Sequence, residues 1–306
     1  MQKPVSSRRV VLTSFVVDLS DVLLNTFIAV VSGSVVMASE ALQGLADLLT
    51  SGLLLIGLKQ SRRRANKSHR FGYGREIYFW TLMSGIMMLT LTAGLSFYFG
   101  LNRFFHPEPI DKTPLALGVL LIGLATNAYA CYLSYQRLHA FHPRQKLWKT
   151  FQYSDLIETK ATFILDSMGA LAALFGFLSL GLFAITGNSR FDSVGAMLIG
   201  VLIAVLSFFL ILEVKDLLVG RAASPELEEK IRESALSIKG VQHILDLRTM
   251  YLGTERLLVN LEIHVKDNLT TDQIEQLTDA VKHRIKQRIP SVKHIQVELE
   301  SPDEEL

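Results

Sequence analysis

The chain has 306 residues, 31 Lys and Arg against 29 Asp and Glu, a formal net charge of +2 and 49% hydrophobic residues, with a mean hydropathy of +0.31. That hydrophobic content exceeds what a soluble globular chain of this size carries. A charge so near balance, with its basic residues grouped beside apolar blocks, gives no argument for nucleic acid as a partner, and the single cysteine, Cys131, excludes an internal disulfide framework or thiolate cluster.

The first ~220 residues alternate apolar blocks of about 20 residues with short polar connectors, the length that crosses a ~30 Å hydrocarbon core. Six spans are predicted, at 10–31, 35–58, 77–104, 114–136, 156–184 and 192–215, cut by SGS at 32–34, HPEP at 106–109, HP at 142–143 and TGN at 186–188. The N-terminus lacks a small-residue cleavage site and runs straight into a second span, so it reads as a retained helix. Lys3, Arg8 and Arg9 precede span one; Arg62, Arg63, Arg64, Lys67, Arg70 and Arg75 fill the 2–3 connector; Arg137, Arg144, Lys146 and Lys149 follow span four. The opposite connectors hold little more than Lys112 and Arg190, which predicts both termini on the cytoplasmic side. The Arg62–Arg64 cluster fits a topology signal touching anionic headgroups.

Beyond residue 220 the composition turns charged. Ser224 and Pro225 form an N-cap and first turn, followed by an amphipathic helix, the alternating runs ILDLRTMY and LLVNLEIHV, a helix over TTDQIEQLTDAVKHRIKQRI and the run HIQVELE. The expected architecture is a six-helix membrane domain over 1–220 and a small α+β cytoplasmic domain over 221–306, of order α-β-β-α-β and ferredoxin-like, suited to docking or dimerisation. No internal repeat or low-complexity segment is evident.

Two carboxylates lie near the middle of apolar blocks, Asp47 in span two and Asp166 in span five. A carboxylate at that depth costs a few kcal/mol, and chains that keep one use it on ion or proton paths. Ser39, Gln43 and Asp47 are four apart and share a helix face, as do Glu158, Thr162 and Asp166. If the two faces meet they offer oxygen ligands alone, a set that holds a divalent cation; the competing reading is that each Asp only fixes helix packing. Asp18, Asp21 and Asn25 in span one either line a water-filled approach or orient the helix, and Asn127 in span four reads as a structural amide.

These residues resemble the cation diffusion facilitators, six-span metal–proton antiporters, through GSVVMASEALQGLAD in span two, HRFGYGRE before span three, Asp166, FDSVGAMLIG opening span six, and the tail with DLRTMYLG. The resemblance covers nearly the whole chain and is similar in feel to the branch containing a mitochondrial zinc exporter. It implies a transport site at Gln43, Asp47, Thr162 and Asp166, where the two positions that most often supply imidazole are Gln and Thr. Oxygen donors shift preference toward harder ions, so zinc and manganese are the expected substrates, with iron(II) or cobalt(II) behind them. Glu158 offers a further carboxylate. With the family's usual imidazole absent, proton coupling falls to Asp47 and Asp166. A second family metal site in the 2–3 connector keeps His69 but has Asn66 and Tyr73 at its other positions. In the tail, the resemblance points to Leu245, Glu262, Glu298 and Glu300, with His264 and His294 near; a solvated sheet face is the plainer reading.

The reading is therefore a homodimeric divalent-metal efflux antiporter working by alternating access, with the bilayer, metal ions and protons as partners, no cofactor, no enzymatic activity and no nucleic acid, set in a bacterial inner membrane. A non-transporting regulatory partner of an active relative and a monovalent cation–proton exchanger remain open.

Overall fold

The computed structural model describes residues 7–141 and 157–301. In chain order these form α1 (Ser7–Ser32), α2 (Val35–Ser61), α3 (Glu76–Met87), a π-helical turn (Met88–Ala93), α4 (Gly94–Phe105), α5 (Thr113–Phe141), α6 (Ile157–Thr186), α7 (Arg190–Val219), α8 (Pro225–Leu236), β1 (Val241–Gly253), β2 (Arg256–Val265), α9 (Thr271–Arg288) and β3 (Val292–Leu299). They divide into two compact units. One gathers the apolar helices; the other gathers residues 58–78, from the α2–α3 connector, with the chain from Lys215 onward.

Among the described residues of the first unit five helices are long and apolar enough to cross a membrane, and the described apolar stretch of α1, Leu19–Ser32, is shorter. Large side chains such as Phe27, Val30, Ile122, Phe208 and Phe209 point outward, as they do where lipid rather than water is the solvent. The chain is an integral membrane protein. With lipid outside there is little hydrophobic drive between helices, so small residues let backbones approach. A methyl group on Gly100 of α4 would sit 2.9 Å from Met197 of α7, one on Gly200 of α7 would sit 2.9 Å from the Phe97 backbone, and one on Gly195 would overlap Ser179 of α6.

Span three, expected as one helix over 77–104, is instead two α-helices joined by the π turn. The extra residue in a widened turn rotates the helix beyond it. Ala93 and Phe97 thereby meet Gly200 on α7. Nothing in the apolar composition of 88–93 signals this.

The start of α2 is held by a residue from a different helix. Gly33, at φ +67°, ends α1. Ser34 then caps α2, its hydroxyl accepting from the Met37 amide at 3.3 Å. Asp192, in the first turn of α7 and 0% exposed, accepts from Ser34 Oγ at 2.5 Å, from the Val35 amide at 2.7 Å and from the Val36 amide at 3.4 Å. One carboxylate thus serves the positive ends of two helix dipoles, which is why a buried charge is tolerable here. Arg103 of α4 donates to the Gly33 carbonyl and pairs with Glu108.

In the second unit the tail has the expected α-β-β-α-β order. β1 and β2 are antiparallel, β2 and β3 parallel, with β2 central. Ser224 caps α8 by accepting from the Leu227 amide, and Thr270 and Gln273 form a capping box on α9. One sheet face buries Leu247, Leu257, Val259, Leu261 and Ile263, and α8 and α9 bring Ile231, Ala235, Val281 and Ile285 into the same core. The α2–α3 connector lies on the β1–β2 hairpin. Phe71 meets the His294 ring edge-on at 5.2 Å, and Gly74 lies so close to Leu252 and Gly253 that a side chain at Gly74 would overlap the Leu252 carbonyl.

Candidate functional site

The site is built on α2. Its face carries Ser39, Glu40, Gln43, Asp47 and Thr50, recurring at three and four residues so that all lie on one stripe. Ser39 is 1% exposed, Gln43 3% and Glu40 8%, and the Ser39 hydroxyl, Glu40 Oε1, Gln43 Oε1 and the Thr50 hydroxyl have no hydrogen-bond partner among the described residues. Asp47 is half-buried two turns beyond Glu40. Native interiors leave few polar atoms unmatched, so four on one stripe single out this face of α2.

Two helices close around this stripe. On one side Val22 of α1 meets Gly44, placing half-buried Asp21 and buried Asn25 along that seam. On the other, a methyl group on Gly176 of α6 would sit 2.9 Å from Val36 and 3.7 Å from Glu40 Oε1. Asp166 lies ten residues back along α6 from that contact and Asp47 seven residues on along α2. At about 1.5 Å per residue the two Asp levels differ by roughly 4.5 Å, less than one turn. Asp166 is half-buried. Near it α5 packs on α6, Cys131 Sγ lying 3.4 Å from Ser167 Oγ. Asn127 donates to the Gly123 carbonyl of its own helix at 2.9 Å, and a methyl group on Gly169 would sit 2.6 Å from its Oδ1. Asn127 therefore serves packing. The side chains of Asp18, Glu158 and Thr162 lie outside the described residues, as do Arg144, Lys146 and Lys149 of the 4–5 connector.

In the α2–α3 connector, the residues considered for a second metal are engaged with each other. Asn66 accepts from the Ser68 and His69 amides and donates to the Tyr73 hydroxyl at 2.8 Å. His69 stacks on Tyr73 at 4.2 Å, with Arg63 over the same ring. These contacts fold the turn that seats Phe71 and Gly74.

On the uncovered face of the tail sheet, Asp246, Glu262 and Glu298 stand opposite one another across the three strands. His264 contacts the Glu300 carbonyl at 3.2 Å. His294 is on the same face but four residues, about 13 Å, along β3 from Glu298. Among the described residues no three His, Cys, Asp or Glu side chains converge on a point that could hold a metal. The Glu262 carboxyl is pushed above the usual glutamate range, first by desolvation, then by repulsion from Asp246, Glu300 and Glu298, with Arg248 opposing. A raised carboxyl binds more protons folded than unfolded, so its contribution turns against the fold as pH rises above ~4.3. Glu262→Gln is accordingly expected to raise the melting temperature of the full chain in detergent at pH 7 and to leave it unchanged near pH 4. A gain that is equal at both pH values would contradict this.

Residues 11–219 match the cation efflux transmembrane domain, and residues 223–302 match the cytoplasmic domain of cation efflux proteins. The chain belongs to the cation efflux family. A proton-coupled mitochondrial zinc antiporter, SLC30A9 of Xenopus laevis, is 29% identical over 263 residues, 84% of this chain and 47% of that protein. Zinc transporter ZitB of Pectobacterium atrosepticum is 23% identical over 94% of this chain and 82% of its own length. A cadmium, cobalt and zinc/H(+)-K(+) antiporter of Bacillus velezensis is 20% identical over 97% of this chain and 89% of that protein. This cation efflux chain spans about half the length of the SLC30A9 relatives it matches. Among solved structures it is similar to MamM-CTD 215-293, at 24% identity over 25% of this chain and 95% of that one, with a TM-score of 0.24.

Two polar residues of this cation efflux chain carry roles that its sequence pattern does not announce. Glu40 lies only six residues into α2, where an acid passes for an interfacial one, although its spacing of seven from Asp47 puts it on the same stripe. Asp192 is visible in the sequence only as part of a motif. Its role as cap to a helix more than 150 residues away has no sequence signal.

Proposed function

We propose that the chain exports a divalent metal ion in exchange for protons by alternating access, with Asp47 and Asp166 as principal ligands and Gln43 and Thr162 as neutral oxygen donors. Glu158, one turn before Thr162 in the sequence, adds a further carboxylate. The observation that carries this is the α2 stripe, where Asp47 shares a face with the buried oxygens of Ser39, Glu40, Gln43 and Thr50 that lack hydrogen-bond partners among the described residues, and lies within one turn of the Asp166 level on the neighbouring α6. Two acids facing one +2 ion remove most of each other's desolvation cost, which neither could bear alone in lipid. The oxygen-only donor set favours hard to borderline ions, and the relatives are named for zinc. Zinc and manganese are therefore the leading substrates, ahead of iron(II) and cobalt(II). The membrane domain covers 1–220 and the tail 221–306. The tail pairs two copies into a homodimer, and Glu262, Glu298, Glu300, His264 and His294 on its uncovered face would bind metal only when a second chain contributes ligands. The basic connectors support both termini lying in the cytoplasm, here of a bacterial cell whose inner membrane holds the protein.

The test is flux of zinc, manganese, iron(II) and sodium into proteoliposomes holding the purified full chain, with internal pH recorded. Movement of one divalent ion with opposite movement of protons is the expected result. Sodium flux would make it a monovalent exchanger, and no flux by folded protein would make it a regulatory partner.

A further inference from the structure

We propose that Glu40 is a proton-carrying residue of this transporter, taking up one proton as the metal leaves toward the end of the membrane where α2 begins. The inference rests on the antiport reading above and assigns the coupling to a residue outside the Asp47–Asp166 pair.

The surroundings of Glu40 carry the proposal. Its side chain is buried, one carboxyl oxygen has no hydrogen-bond partner, and that oxygen lies over bare α6 backbone at Gly176. From α1 it feels Asp21, a charge of the same sign, and the neutral amide of Asn25. From α5 comes the apolar Leu120, which like Glu40 borders Gly176. From α7 comes Asp192, already held by Ser34 and the first amides of α2, with Arg103 behind it on the Gly33 carbonyl. Along α2 itself come Gln43 and then Asp47. No cation is set against Glu40 by these neighbours, so a negative charge there is tolerable only while a metal ion stands beside it.

The exchange arises from that electrostatics. A divalent ion moving outward from Asp47 and Asp166 passes Gln43, one turn on, and then Glu40. When it leaves, the Glu40 carboxylate binds one proton to become a neutral acid; when a new ion arrives from the other end, that proton is released. Gln43 cannot titrate but offers the ion an oxygen between the two levels. Intramembrane acids with this combination of burial and like-charge neighbours mark proton paths.

Glu40→Gln and Glu40→Asp in the full chain, reconstituted in proteoliposomes, separate this from a structural role. Zinc or manganese, whichever the unmodified protein carries faster, is tracked in two modes: metal–metal exchange without a pH gradient, and uptake driven by a gradient with proton release recorded. Glu40→Gln is expected to lower the gradient-driven uptake and proton release about tenfold more than it lowers metal–metal exchange. Glu40→Asp should restore most of the coupling with a shifted pH profile. Gradient-driven uptake in Glu40→Gln equal to that of the unmodified protein overturns the proposal while leaving antiport standing. If Glu40→Gln shows no exchange because it has not folded, Glu40→Asp decides: a pH profile identical to that of the unmodified protein overturns the proposal. An unmodified protein that ignores the gradient removes the antiport reading and this one with it.

Discussion

If Asp47 and Asp166 hold the ion as proposed, Asp47→Ala and Asp166→Ala are each expected to lower metal flux by at least about a hundredfold, since losing a ligand removes more than the ten- to hundredfold that supporting groups alone command. The oligomer seen by size exclusion should not change, since neither residue belongs to the tail. The two positions sit on different helices at nearly one depth, α2 and α6 being in contact at Glu40 and Gly176. Each variant leaves one carboxylate facing a +2 ion, and a single carboxylate cannot repay the ion's dehydration. Gln43→Ala should be milder, about tenfold, because it removes a neutral oxygen from the same face. Undiminished flux in both Asp variants would defeat the assignment. Loss in Asp47→Ala alone would leave a site confined to α2.

The second large effect concerns stability. Asp192→Ala leaves the Val35 and Val36 amides and the Ser34 hydroxyl without their acceptor, in a place where water cannot replace it. Removing one partner of a buried charged cluster costs about 3–5 kcal/mol, which corresponds to roughly 10 °C in the melting temperature of a unit this size. Asp192→Asn keeps an acceptor oxygen and should lose less than half of that. The measurement is apparent melting temperature in detergent, followed by flux at a temperature where both variants are folded. Flux should then recover, because Asp192 holds the α2 terminus rather than the ion. Equal melting temperatures for the unmodified protein and Asp192→Ala would show that the cap is dispensable.

The legible part of this protein is whatever is written as period or punctuation. Spans of about 20 apolar residues, the Ser224–Pro225 start of α8 and the alternation in 241–253 and 256–265 each state their own structure. Asp47 and Asp166 stand out because a charge amid apolar residues has no local excuse. The hidden part depends on neighbours far away in sequence. The π turn at 88–93 answers to its packing on α7, Asp192 to amides on α2, and Asn127, which has neighbours on α6, turns out to bond its own helix. Glu40 lies between these cases, since the spacing that ties it to Asp47 is present in the sequence and only its burial is not.

The seating of Phe71 against His294 of β3 and of Gly74 on the β1–β2 hairpin bears on how the protein can be cut. Residue 220 is where the sequence changes character, yet the folded unit that holds the tail also holds residues 58–78. A fragment beginning after Gly220 would expose the seat of Phe71 beside His294 and the bare backbone at Gly253, while the remaining membrane fragment would keep a connector shaped to a surface it no longer has. Severing the chain at its apparent border would damage both halves, and the tail is best obtained with the connector grafted back onto it.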